Sequence, residues 1–348
     1  MSNFLIRCSI IIALLTCAAA VAPSVALANP NPQVYTAGFF TAGGGFLTCY
    51  PPANSSNPNP ATPIGFFAGA ATTLLVPKGV TASASTGAFY ETDLGNNSVD
   101  EWPLPCPSGM VNLAPPAQII GSLTQLASPV GIAVDVARNV LYVANSSSNS
   151  VAMFTLGANG NVAPTCLLQG SSTGLSRPEH IAVEPAVPGA HRIGFLYVVN
   201  QGNTSVTIYP PAPCGNIAPI DMIRGGATGM VHPYGIDVYS TRFGHRGPAI
   251  YVADPGAHKI LEYFDSHGPV NRTPFLRLGG PISMLSCPSD VRVSRATALI
   301  YQVDPCNMEI SAFNNLTAFN MAPLYWYLAS GSTQFIDRPY GIWLSDRN

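Results

Sequence analysis

Pro129-Val-Gly-Ile-Ala-Val-Asp135, followed by Leu141-Tyr-Val-Ala-Asn145, is one copy of a phrase that the chain repeats. The same opening stands at Pro77-Lys-Gly-Val, Pro178-Glu-His-Ile, Pro233-Tyr-Gly-Ile, Pro288-Ser-Asp-Val and Pro339-Tyr-Gly-Ile, and the prolines step by 52, 49, 55, 55 and 51 residues. Self-similarity at a period of this size belongs to solenoids, propellers and arrays. Each period carries the same sub-pattern. The proline phrase runs into a first strand, and a second strand ends in Asx: Phe89-Tyr-Glu-Thr-Asp93, Leu141-Tyr-Val-Ala-Asn145, Leu196-Tyr-Val-Val-Asn200, Ile250-Tyr-Val-Ala-Asp254 and Ile300-Tyr-Gln-Val-Asp304. A third strand follows at Ser150-Val-Ala-Met-Phe, Ser205-Val-Thr-Ile-Tyr and Lys259-Ile-Leu-Glu-Tyr, and a fourth is read in the segments that begin at Asn161 and Asn216. Four β-rich strands per repeat, with no helical periodicity between them, make one propeller blade.

The chain ends complete the count. Leu47-Thr-Cys-Tyr-Pro-Pro reads like Val206-Thr-Ile-Tyr-Pro-Pro, so residues 34 to 76 supply the later part of a blade, while residues 339 to 345 supply only a first strand. The expected fold is therefore an all-β, six-bladed β-propeller of four-stranded blades. It is closed by pairing the C-terminal strand with the N-terminal blade fragment, which removes an exposed sheet edge. The proline is expected to stop the outer strand and stiffen the crossing, and the glycine to let the chain turn into the crowded innermost strand. The Pro-x-Gly-Ile-Ala-Val-Asp and Leu-Tyr-Val-Ala-Asn/Asp phrases resemble those of the NHL-repeat family of six-bladed propellers over nearly the whole mature chain. That family includes enzymes, ligand binders and scaffolds, so the resemblance implies a fold and leaves the activity to the site.

Met1 to Arg7, an apolar run from Cys8, and the small-residue site Ala26-Leu27-Ala28 read as a signal peptide over residues 1–28, leaving a single domain over 29–348. The expected location is secreted or periplasmic. Lipid anchoring at Cys17 is disfavoured because Thr16 stands where Gly, Ala or Ser is usual. No other run is long and apolar enough to span a bilayer. Charged residues are 9% of the chain and the formal net charge is −2, so there is no basic field for nucleic acid. Sequons stand at Asn54, Asn96, Asn145, Asn203, Asn271 and Asn315. The six cysteines beyond the leader suggest disulfides, and none has zinc-ligand spacing. Cys287, before the first strand of the fifth blade, and Cys306, in that blade's second turn, fall on one face and are expected to pair; the partners of Cys49, Cys106, Cys166 and Cys214 stay open.

Loops entering the first strands and loops joining second to third strands should share one face around the channel. Asp93, Asn145, Asn200, Asp254 and Asp304 there form either a ring for a cation or ligand or, as is favoured, caps of their own turns. Departures from the repeat are the better site candidates. Where other blades carry Thr81, Ala133 and Ala182, later ones carry Asp237, Arg292 and Trp343, and an Asp237–Arg292 ion pair between adjacent blades is expected. His180 and Asp290 replace the opening glycine and are expected to face the same mouth. Those five residues form the candidate ligand site.

Lactone hydrolases similar to gluconolactonase hold a central divalent cation partly through Asn and Asp just before the glycine of an inner strand. The corresponding positions are Lys78, Val130, Glu179, Tyr234, Ser289 and Tyr340, of which only Glu179 suits a charged ligand. His180, His232 and His258 do not share a repeat position, so the histidine sites of copper and zinc lyases are not reproduced either. Without a strong catalytic motif, the reading is a monomeric binding module for a protein, peptide or glycan, with no cofactor firmly implied. The alternative is a metal-dependent hydrolase or lyase, calcium being the expected ion, with Glu179, Asn200, Asp254 and Asp304 as ligands.

Overall fold

The computed structural model describes residues 32–40, 43–53, 62–184, 193–239, 248–265, 270–314, 320–328 and 338–346. The leader, Cys17 and the sequons at Asn54 and Asn315 lie outside them. Six sheets stand around one axis. The second blade shows the plan: Pro129–Asp135, Val140–Asn145, Ser150–Thr155 and Cys166–Gln169 form an antiparallel meander from the axis outward. The other innermost strands are Pro77–Ser83, Pro178–Val183, Gly235–Tyr239, Asp290–Val293 and Arg338–Leu344. The sixth blade closes the ring. Its innermost strand, Arg338–Leu344, pairs antiparallel with Val34–Phe39, in the register Val34↔Leu344 and Thr36↔Ile342. The Thr36 hydroxyl donates to the Gly341 carbonyl at 2.7 Å, and Ser345 N–H to the Gln33 carbonyl at 3.1 Å. This blade also gains a fifth strand, Gly109–Val111, which runs parallel to Gly65–Ala68 and comes from the first blade.

The strands read as nearly continuous apolar runs because each sheet is sandwiched between two others. In the second blade Leu141 and Val143 pack toward the first, whereas Tyr142 and Ala144 pack toward the third. One apolar cluster fills each of the six interfaces. Tyr142, Tyr197, Tyr251 and Tyr301, all from the repeated second strand, are fully buried, and each such side chain contributes about 1.5–3 kcal/mol in removal from water.

The glycine of the proline phrase has a different role from the expected one. A Cβ on Gly131 would lie 2.6 Å from the His180 Cα and from the Glu179 carbonyl oxygen, and one on Gly341 would lie 2.1 Å from the Lys78 carbonyl oxygen. Adjacent innermost strands touch backbone to backbone, so the glycine admits its neighbour and is not required for a turn.

Two further devices link the blades. Eight residues before each of the first five prolines stands Gly69, Gly121, Gly170, Gly225 or Gly280, with φ between 113° and 129°. An asparagine from the next blade (Asn112, Asn161, Asn216, Asn271 or Asn320) lies against it and accepts a backbone N–H from the following turn, as Asn161 Oδ1 does from Leu123 at 2.8 Å. Disulfides supply the rest. Cys49–Cys106 joins the sixth blade to the first, Cys166–Cys214 joins the second to the third, and Cys287–Cys306 ties two loops of the fifth. Three disulfides suit an oxidising compartment, extracellular or periplasmic. Among the described residues no helix is long and apolar enough to cross a membrane.

Candidate functional site

The residue between proline and glycine in each phrase reaches the rim of the axis. Lys78, Glu179, Tyr234, Ser289 and Tyr340 therefore gather at one end of the channel, where the innermost strands of adjacent blades pack side by side. The Lys78 ammonium sits 3.1 Å from the Tyr340 ring centroid and 5.2 Å from that of Phe39. Phe39 and Tyr340 stack at 5.4 Å with 13° between their planes, and the Arg338 guanidinium lies 5.8 Å from the Phe39 ring. From Tyr340 the rings continue inward to Tyr234 at 6.4 Å and from Tyr234 to His180 at 6.5 Å. Beside them opens a cavity of 630 Å³, lined by Gln201, Tyr234, Pro255, Met308, Arg338 and Tyr340 among others. Its walls come from the strand-entrance and second-turn loops, the face expected for the mouth.

The charges here balance closely. Burial lowers the Lys78 amine to about 8, with Glu179 partly restoring it. Burial lifts the Glu179 carboxyl to about 7, against the pull of Arg177, Lys78 and a hydrogen bond from Tyr234; Arg177 lies 3.6 Å from it. Stacking on an aromatic face favours the charged ammonium. Lys78 thus stays largely protonated near neutral pH, and Glu179 is ringed by two cations while Arg338 is left exposed. The mouth offers aromatic faces and positive charge to a ligand.

One layer deeper lies a buried polar cluster. His180 and Asp290 were expected at the mouth but are buried beneath it, at 1% and 0% exposure. Gly235 stands between their blades and lets them approach, so that His180 Nδ1 lies 3.6 Å from Asp290 Oδ1. Arg292 rests on Asp290 at 2.7 Å and donates to the Ile236 and Val291 carbonyls, while Asp237 accepts the Val293 N–H at 2.7 Å. Asp290 also accepts from Ile342 across to the closing strand. Burial, reinforced by Arg292, keeps the His180 ring neutral, and burial lifts Asp290 to about 6 against the pull of Arg292. This buried layer joins the third, fourth, fifth and sixth blades below the mouth. Trp343 belongs to neither layer: it packs edge-on against Tyr35, 5.1 Å away, in the apolar interface between the sixth and first blades. Its side chain points into the neighbouring first blade.

The Asx ring serves the backbone. Asp254 accepts from Val231, His232 and Ala257 N–H, and Asp304 from Ser286, Cys287, Cys306 and Asn307, so each fastens its turn to the loop before its own blade's opening proline. Asn200 accepts from Ser176 N–H and donates to Thr207. Glu179, Asn200, Asp254 and Asp304 do not converge on a common point, and Cys287 and Cys306, which lie beside Asp304, carry no free thiolate.

No protein-family model and no curated relative matches the chain. Solved structures do. A structure titled as a nidogen/laminin complex is similar with a TM-score of 0.56 and 17% identity, covering 90% of this chain and 97% of that one. A streptogramin B lyase is similar with a TM-score of 0.52 and 12% identity, covering 92% of each. A putative 6-phosphogluconolactonase from Bacteroides fragilis is similar with a TM-score of 0.55 and 11% identity, covering 90% of this chain and 84% of that one. At these identities the similarity establishes the six-bladed propeller and nothing finer.

Proposed function

We propose that this protein is an exported, NHL-like propeller that works as a binding module, taking a protein, peptide or glycan at the channel mouth through an acidic group. The observation that carries the reading is the stacked Phe39–Tyr340 pair with Lys78 and Arg338 around it, beside a cavity large enough for a side chain or sugar. Aromatic faces and a guanidinium are the groups that anchor recognition. The nidogen neighbour, solved in a complex with laminin, supports a propeller used in this way.

The lyase and lactonase neighbours support the other reading, catalysis at the same mouth by Glu179 with a metal, but its four expected ligands stay apart. The two readings separate in one experiment. Peptide display and a glycan array are screened against the mature protein, and the selected ligands are remeasured on Tyr340→Ala and Arg338→Glu. Binding weakened tenfold or more in both variants is expected. Unchanged affinity in both overturns the binding site, and turnover of a lactone or ester abolished by Glu179→Gln replaces the module with an enzyme.

A further inference from the structure

The first blade carries something its sister blades lack. Its second strand, Ala88–Asp93, faces its third, Ser98–Pro103, in the register Glu91↔Asp100 and Asp93↔Ser98, and Asp100 in turn faces Gln118 on the outer strand Ala117–Ile119. Residues two apart share a face, so Glu91, Asp93, Ser98, Asp100 and Gln118 form one polar patch. The positions of Glu91 and Asp100 hold Val143 and Ala152, Val198 and Thr207, Val252 and Leu261, and Gln302 and Ser311 in the next four blades. The patch shares its face with Phe89 and Trp102, which pack against Leu47 and Phe67 of the sixth blade. An acidic pair thus lies inside an apolar interface.

Asp93 is provided for: its carboxylate accepts from the backbone of Leu75, Val76, Gly95 and Asn96. The others are not. Both carboxylate oxygens of Glu91, the Asp100 Oδ2 and the Ser98 hydroxyl are fully buried without a hydrogen-bond partner. Among the described residues no cation pairs with Glu91 or Asp100, although ligand atoms of Glu91, Asp93 and Asp100 lie within 4.8 Å of one another. Buried polar groups are almost always satisfied, and buried charges are paired or bind metals. A proton shared between Glu91 and Asp100, with the Ser98 hydroxyl turned to Asp100, satisfies one oxygen of each carboxyl and still leaves the second Glu91 oxygen unserved. One divalent cation placed among the converging carboxylates would serve the unpaired oxygens of Glu91 and Asp100 and neutralise both charges.

We propose that Glu91, Asp100 and Ser98 hold a structural divalent cation inside the first blade. The donor set is all oxygen and mixes carboxylates with a neutral hydroxyl. Those are the ligands of hard cations, and calcium, which accepts mono- and bidentate carboxylates and water in a flexible shell, suits it better than zinc or copper. Asp93 adds negative charge while keeping its backbone bonds. Half-buried Gln118, which donates to Asp100 Oδ1 at 2.7 Å, stands at the outer edge and marks the way in. Because this face packs on the sixth blade, the ion would brace the interface beside the ring closure. It is separate from the channel mouth, and neither site depends on the other.

The test uses the mature protein, stripped with a chelator and dialysed to equilibrium against calcium chloride, then against magnesium chloride. Metal is counted by mass spectrometry, and melting is followed during the titration. One calcium per chain and a saturable rise of several degrees are expected, both lost in Glu91→Gln/Asp100→Asn and retained in the mouth variant Tyr340→Ala. If the double variant does not fold, Ser98→Ala serves instead, with calcium affinity expected to fall several-fold. A wild-type protein that takes up no stoichiometric metal overturns the proposal, as does bound metal that survives the double variant unchanged.

Discussion

The interfaces between blades and the mouth of the channel are built from the same repeat, yet they use it in opposite ways. At the interfaces the repeat is nearly uniform: tyrosine in the second strand, Asx at its end, and glycine against asparagine between neighbours. At the mouth the equivalent residues are Lys78, Val130, Glu179, Tyr234, Ser289 and Tyr340, no two adjacent ones alike. Uniform positions answer a demand that every blade makes of its neighbour. The mouth is met by six blades at once, and only a particular ligand makes a demand there.

Removing the closing strand breaks the interface side of this contrast most severely. Truncation of Pro339 to Asn348 leaves the edge of Val34–Phe39 unpaired and exposes one face each of the fifth and first blades. The expected outcome is loss of cooperative melting with aggregation, read by calorimetry and light scattering. An unchanged melting curve would show that closure does not hold the ring. A smaller effect is expected from Gly121→Ala. Its φ of 124° and ψ of 175° fall in a region reserved for glycine, and its Cβ would meet the Asn161 side chain at 2.5 Å. The cost is about 2–3 kcal/mol, measured by denaturant unfolding, whereas alanine at the solvent-facing Gly157, also at positive φ but with nothing within 4 Å, should cost less.

What could be read in the sequence follows the same division. Blade number, closure and the Cys287–Cys306 pair came from period and phase, because each is imposed by neighbours one repeat away. The asparagine clamp was visible as Asn161 and Asn216 in corresponding places, but its partner glycine lies a blade earlier, beyond any local pattern. Trp343 was misplaced for a physical reason. The innermost strand presents its backbone edge to the axis, so its side chains point into neighbouring blades, and departing from the repeat there does not mean facing the channel. His180 and Asp290 were found by their departure from glycine, but depth along the axis is not encoded in strand alternation. The mouth was in plain view as the six residues after proline. Their side chains suit aromatic and cationic contacts rather than metal ligation, and only the packing of six blades brings them together.

The pH dependence of stability sharpens the contrast next. Glu179 titrates at about 7 in the fold, because burial outweighs its cationic neighbours, against about 4.3 in an unfolded chain. Its folded value is raised, so the stability it lends is full below the unfolded value and is lost as pH rises through 7. A shift of this size corresponds to about 4 kcal/mol as an upper figure. Glu309, also lifted to about 7 by burial, adds to the same window, so the clean measurement is a difference. Glu179→Gln should flatten the decline in melting temperature between pH 5 and 8 relative to wild type. An equal slope in both proteins would show that the carboxyl is not held in this environment.

The smallest expected effect tests the other side. Tyr340 is half-buried, and its ring supports Lys78 and stacks on Phe39 without reaching the apolar clusters between blades. Tyr340→Leu removes one cation–π contact and one stacking partner, which together stabilise by about 1–2 kcal/mol at a partly buried site. Leucine recovers part of the apolar contact, so the net loss should stay near 1 kcal/mol in denaturant unfolding. Ligand affinity should fall far more than stability does. That separation is the property expected of a residue placed by the repeat but chosen for a ligand. A Tyr340→Leu protein that lost several kcal/mol would make the mouth another structural interface and erase the distinction between the two regions.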